Sequence, residues 1–308
     1  MKSSYVLLVL LVVVGLVSAA ELYARKMSIE RLPDGDATVF RDSVVIIDGD
    51  TKILSHMARM YDARGVAVIG ESVRITTPDA LIWCDSAYYY LNDKRADLFG
   101  HVRVRQESLD IEAPRLMYFS GKKLVEANDG VLLANQERSF RLTGKKGHYD
   151  LGSDVGTVDV VPVLVWQRGD DSARVTGRTM YWYRNESRAV AEGNVRLKSG
   201  SSEVTCDTVI YLSGPDSGFA LGKPEVRDSV SRASGDSMSF VMHDGALQQV
   251  TIRNGASGEY ETEGGDQIAV KGQMIQLWMD SGDIERIEVT AMTSGKLVRV
   301  GKPAEKQP

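Results

Sequence analysis

The sequence predicts an all-β protein built from repeated pairs of antiparallel strands. Three observations carry that prediction. A two-strand phrase recurs every 28 to 33 residues. Each copy holds a polar turn rich in Gly, Asn, Asp and Ser between two alternating runs. Helix-period stretches and helix caps are nearly absent.

The chain opens on "MKSSYVLLVLLVVVGLVSAA", a short basic start, an apolar run from Tyr5 to Val17 and a small-residue end, with Ser18 and Ala20 placed for cleavage ahead of Glu21. This is the layout of a signal peptide over residues 1–20, and the run is short for a membrane anchor, the competing reading. It implies an exported protein. Removing the segment leaves 36 basic against 42 acidic side chains. That balance argues against a partner held by nucleic acid phosphates. Residues 21–41 read as a lead segment and 291–308 as a tail.

Between them, residues 42–290 hold the repeat. The copies "HMARMY", "CDSAYY", "APRLMY", "GKKGHY", "GRTMYW", "CDTVIY" and "GDSMSF" end at Tyr61, Tyr89, Tyr118, Tyr149, Trp182, Tyr211 and Phe240, and a degenerate copy ends at Trp278. A second strand follows each turn, in several copies with Gly and Val, as in "LFGHVRV" and "AEGNVRL". Two strands per copy give about sixteen strands.

Alternation assigns faces, since successive strand residues point to opposite sides. Leu98, Val102 and Val104 share one face, opposite His101, Arg103 and Arg105. Val195 and Leu197 oppose Asn194, Arg196 and Lys198. In "EVTCDTVIYL", Val204, Cys206, Thr208, Ile210 and Leu212 fall together, with Asp207 opposite. One face is apolar throughout.

The phrases "CDSAYYYLNDKRADLFGHVRV", "APRLMYFSGKKLVEANDGVLL", "GRTMYWYRNESRAVAEGNVRL" and "CDTVIYLSGPDSGFALGKPEV", in register behind an export signal, resemble the OstA-like proteins of lipopolysaccharide transport, the family of LptA, LptC and the periplasmic domain of LptD. The resemblance implies a periplasmic protein whose antiparallel strands form an elongated, slightly open β-jelly roll, one roll or two tandem rolls, with an apolar interior that holds lipid acyl chains, no cofactor and no catalytic residue. The partners it implies are lipopolysaccharide or a related glycolipid and other β-roll components of a transport bridge. On that reading the groove is lined by Leu98, Val102, Val104, Val195, Leu197, Ile210 and Leu212. The repeat array is longer than the compact members need, and its middle units are stretched around "GKKGHYDLGSDVGTVDVVPVLVW".

Chemistry points nowhere else. His56, His101, His148 and His243 lie in separate copies without zinc-site spacing. Cys84 and Cys206 share one phase of the repeat, as buried small hydrophobes do more often than disulfide partners. The rival readings are an exported parallel β-helix that binds or cleaves polysaccharide and a ligand-free envelope scaffold. An open roll also exposes unpaired backbone at its ends, expected near "DSVVIIDGD" and "IERIEVTAM". Such edges pair with another copy or with other β-rolls unless Asp42, Glu285, Arg286 and Glu288 protect them.

Overall fold

The computed structural model describes residues 21–299, apart from 34, 49, 79, 107–108, 136–138, 169–170, 228–230, 244–245, 262–264 and 281–282. The expected signal peptide lies outside the described residues. The chain divides into two compact units, residues 1–164 and 165–308.

The first unit contains β1 (Glu21–Tyr23), β2 (Lys26–Leu32), β3 (Gly35–Asp48), β4 (Thr51–Tyr61), β5 (Val66–Thr76), β6 (Leu81–Tyr90), β7 (Arg95–Gln106), β8 (Leu109–Phe119), β9 (Leu124–Asn135), β10 (Phe140–Asp150) and β11 (Val155–Asp159). From β3 to β11 each strand pairs antiparallel with the next. Both β1 and β2 pair with β3. The segment read as a lead is therefore strand, and β3, expected at an edge, is paired on both sides. The edge falls on β1 and β2 instead, and Asp42 ion-pairs with Lys26 at 2.9 Å.

Strand β12 (Val163–Arg168) carries the chain across the unit boundary. The second unit then contains β13 (Asp171–Thr176), β14 (Thr179–Tyr183), β15 (Arg188–Ser199), β16 (Ser202–Leu212), β17 (Ser217–Leu221), β18 (Glu225–Arg227), β19 (Arg232–Ser234), β20 (Ser237–His243), β21 (Ala246–Glu261), β22 (Gln267–Asp280), β23 (Asp283–Thr290) and β24 (Ser294–Val298). Here many neighbours come in halves. The pair β13 and β14 borders β15, β17 and β18 border β16, β19 and β20 border β21, and β23 and β24 border β22, all antiparallel. Antiparallel pairing in every register overturns the parallel β-helix alternative.

Twenty-four strands among the described residues exceed the sixteen expected, and the reason is local. Every pass across the sheet bends at the same place. On alternate strands two successive residues take left-handed backbone angles: Asp42 and Ser43, Glu71 and Ser72, Gly100 and His101, Asp129 and Gly130, then in the second unit Gly193 and Asn194, Gly222 and Lys223, Asn254 and Gly255. Where the flanking pieces stay short, the bend cuts one pass into two strands. Six passes are cut this way, at β1/β2, β11/β12, β13/β14, β17/β18, β19/β20 and β23/β24, so the segments make eighteen passes. The corner is two left-handed residues followed by a buried valine, as at Val44, Val73, Val102, Val131 and Val195, and it reads Gly-x-Val at Val102 and Val195.

The facing strand supplies the other half of the corner. A methyl at Gly100, φ +72, would stand 2.8 Å from Asp85 Cβ; one at Gly222 would stand 2.6 Å from Asp207 Cγ. The Asp of Cys-Asp-x-x-x-Tyr thus fills the space that glycine leaves open, and Asp85 accepts a hydrogen bond from His101 Nδ1 at 2.9 Å. Register also corrects the repeat at its ends. Met60, not Tyr61, shares a row with Tyr89, and Leu277, not Trp278, shares one with Phe240.

Candidate functional site

Directly paired residues of neighbouring strands put their side chains on one face, so the registers define rows running across each sheet. In the first unit one row runs Phe40, Ala58, Ile69, Ala87, Leu98, Leu116, Ala127. Beyond the corner a second runs Ile46, Ile53, Ile75, Ile82, Val104, Ile111, Leu133, Leu142. Both belong to a single apolar cluster that also takes in Val44, Val73, Val102, Tyr89 and Tyr118. This interior is filled: Leu98, Val102 and Val104 are 4%, 1% and 7% exposed.

The outer face of the same unit buries two carboxylates. Asp97 lies between Arg95 at 2.9 Å and Arg115 at 2.5 Å. Asp110 accepts from Arg105 Nε at 2.8 Å and also from Arg103. Hydrogen bonds from these two guanidinium groups hold the Asp110 carboxyl down at about 2. Each buried carboxylate thus has two cationic partners, as a desolvated charge requires.

In the second unit the row nearest the corner is Met180, Ala191, Val209, Ala220, Met238, Ile252, Ile275, Val289. Most of it is buried. Across the corner the matching row is Val175, Leu197, Val204, Val226, Ala233, Gly258, Val270. Here Val175, Leu197, Val204, Val226 and Val270 are only half-buried. These five side chains keep part of their apolar surface accessible.

The seven residues expected to share a lining do not all share a face. Val195, buried and paired with Cys206, and Leu197 in the open row lie together. Ile210 pairs with Val190 and Phe219, and Leu212 with Arg188 and Ser217, one position off the buried row. Straight alternation through Asp207 misplaced them. At each corner the inward residues on this strand step by three, from Cys84 to Ala87, Ala113 to Leu116 and Cys206 to Val209, because the backbone turns between them. Val175, Val226 and Val209 are lining candidates that the straight-strand count missed, and Val204, which it did place on the apolar face, joins them. Asp207 and Gly222 mark the corner for three of them: Val204 lies three residues before Asp207, Val209 two after it, and Val226 four after Gly222.

Both cysteines are free and buried. Burial pushes Cys84 up to about 12 and Cys206 up to about 11, which makes them poor nucleophiles. Among the described residues no group of His, Cys, Asp and Glu gathers with the geometry of a metal site, and no helix is long and apolar enough to cross a membrane.

The family model described as OstA-like protein matches residues 41–207, more than half of the chain. The chain belongs to the OstA-like family. Among solved structures this OstA-like chain is similar to the crystal structure of LptH, the LptA homologous periplasmic component of the lipopolysaccharide transport device of Pseudomonas aeruginosa. That similarity is 18% identity over 36% of this chain and 82% of that one, with a TM-score of 0.31. No curated protein matches the chain.

Proposed function

We propose that this OstA-like protein is a periplasmic carrier that moves lipopolysaccharide or a related glycolipid toward the outer membrane, its acyl chains lying against the inner face of the bent sheet. The open apolar row of the second unit carries the reading. It is half-buried without a break across four neighbouring strands, β13, β15, β16 and β18, roughly 15 Å at the usual strand spacing, before the buried Ala233 and Gly258 close it. Each methylene taken from water is worth about 0.8 kcal/mol, so a twelve-carbon chain is worth on the order of 9 kcal/mol. Shelter of that size needs lining residues and no catalytic group. Leu197, with Val175, Val204 and Val226, contacts the chain first, and Val195 lies buried beside them at the corner. Leu98, Val102 and Val104 meet it only if the first unit's interior opens. The partly exposed edges at β2 and β23, which bear Met27, Ile29 and Ile287, pair with a second copy or with another β-roll of a transport bridge.

The test is recovery of lipid with the protein. Mature chain purified from envelopes, extracted and analysed by mass spectrometry, should release glycolipid that added lipid A displaces. Protein that carries none and fails to bind lipid A in competition contradicts the proposal and favours a scaffold.

A further inference from the structure

Tyr260 lies at the far end of the open row, and its surroundings do not use its hydroxyl. The residue is 7% exposed, and its Oη has no hydrogen-bond partner. Its ring folds back along β21 over Gly258, where a methyl would stand 2.6 Å from Tyr260 Cζ. Gly258 pairs with Ala233 and Val270, so the ring covers the smallest stretch of the row, next to Val226. Packing alone would be served as well by phenylalanine, since a buried hydroxyl without a partner is destabilising.

Building on the carrier reading, we propose that the Tyr260 hydroxyl donates a hydrogen bond to a carbonyl oxygen at the head of an acyl chain bound along this row, and so fixes how deep the chain sits. The chemistry suits the place. A phenolic O–H is a donor, an ester or amide carbonyl is an acceptor, and in an apolar setting each lacks another partner. Burial pushes the phenol up to about 12, so it keeps its proton at neutral pH. Tyr118 offers the contrast, with an equally unpartnered hydroxyl enclosed in the first unit's filled interior.

The experiment uses full-length mature chain and three probes: lipid A, dilauroyl phosphatidic acid and its ether-linked analogue, which lacks the two carbonyls. Tyr260→Phe keeps the ring over Gly258 and should fold with an unchanged or higher melting temperature. It should weaken lipid A and the ester probe about three- to tenfold while leaving the ether probe unchanged. Tyr118→Phe should leave all three unchanged. Wild-type protein that binds lipid A, with Tyr260→Phe binding ester and ether equally well as wild type, overturns this inference and leaves the carrier reading intact. Equal losses for ester and ether, or equal losses in the Tyr118 variant, also overturn it. Wild-type protein that binds no probe overturns the carrier reading and this inference with it.

Discussion

Replacing Gly100 by alanine tests the corner most sharply, because the structure separates two costs. The first is conformational: an L-residue held at φ +72 costs roughly 1–2 kcal/mol relative to glycine. The second is steric. The new methyl would lie 2.8 Å from Asp85 Cβ and 2.6 Å from its Cγ, and Cβ cannot rotate away, so β6 or β7 must shift. Overpacking of this kind costs about 1–3 kcal/mol. Gly65→Ala is the control in the same unit. At φ +61 it meets only the tip of the exposed Asn92 side chain, 3.1 Å away, and should show the conformational cost alone. Asp85→Gly combined with Gly100→Ala should recover the steric part, whereas Asp85→Ala should recover little because its own Cβ remains. Urea denaturation followed at fluorine-labelled Trp83, the first unit's tryptophan, gives each free energy. A double-mutant cycle with coupling below about 0.5 kcal/mol would refute the idea that glycine is required here by Asp85.

Three further outcomes follow from the same structure. The Asp110 carboxyl sits at about 2, below its ordinary 3.8, so the unfolded chain takes up its proton first as pH falls. Its stabilising share is therefore complete above about pH 4 and is lost between pH 4 and 2. It amounts to about 2 kcal/mol, and Asp110→Asn should flatten that part of the stability curve in acid denaturation. Val161 is a β-branched residue at φ +61 and is largely exposed, so Val161→Gly should stabilise the first unit by about 1 kcal/mol in the same urea assay; a loss would show that the valine has a packing role. Ile29→Pro and Ile287→Pro should each weaken concentration-dependent association in sedimentation, while a chain that is monomeric at every concentration and captures no β-roll partner removes the basis for edge pairing.

Much of this fold was legible in the residues. Alternation and turn chemistry suffice for antiparallel hairpins, and the phrases that recur in register, such as the one from Cys84 to Val104, suggest the family and with it the roll. The corner was not legible, because left-handed angles at Glu71 and Ser72 or Asp42 and Ser43 leave no glycine to mark them. Without it, parity holds on β7, where two left-handed residues separate Leu98 from Val102, and fails on β16, where the inward step is three. The same blindness placed the first edge at β3. Residues 21–32 are too exposed and too polar to announce themselves as strands, and they form only because β3 offers a template.

The central claim is that acyl chains lie on the inner rows of the second unit. A photoreactive amino acid at Leu197, Val204 or Val209, irradiated in cells, should capture glycolipid. The same group at Arg196 or Ile210, one position away on the opposite face, should capture little. Equal capture at Val209 and Ile210, or capture at Arg196 but not at Leu197, would contradict both the corner and the function built on it.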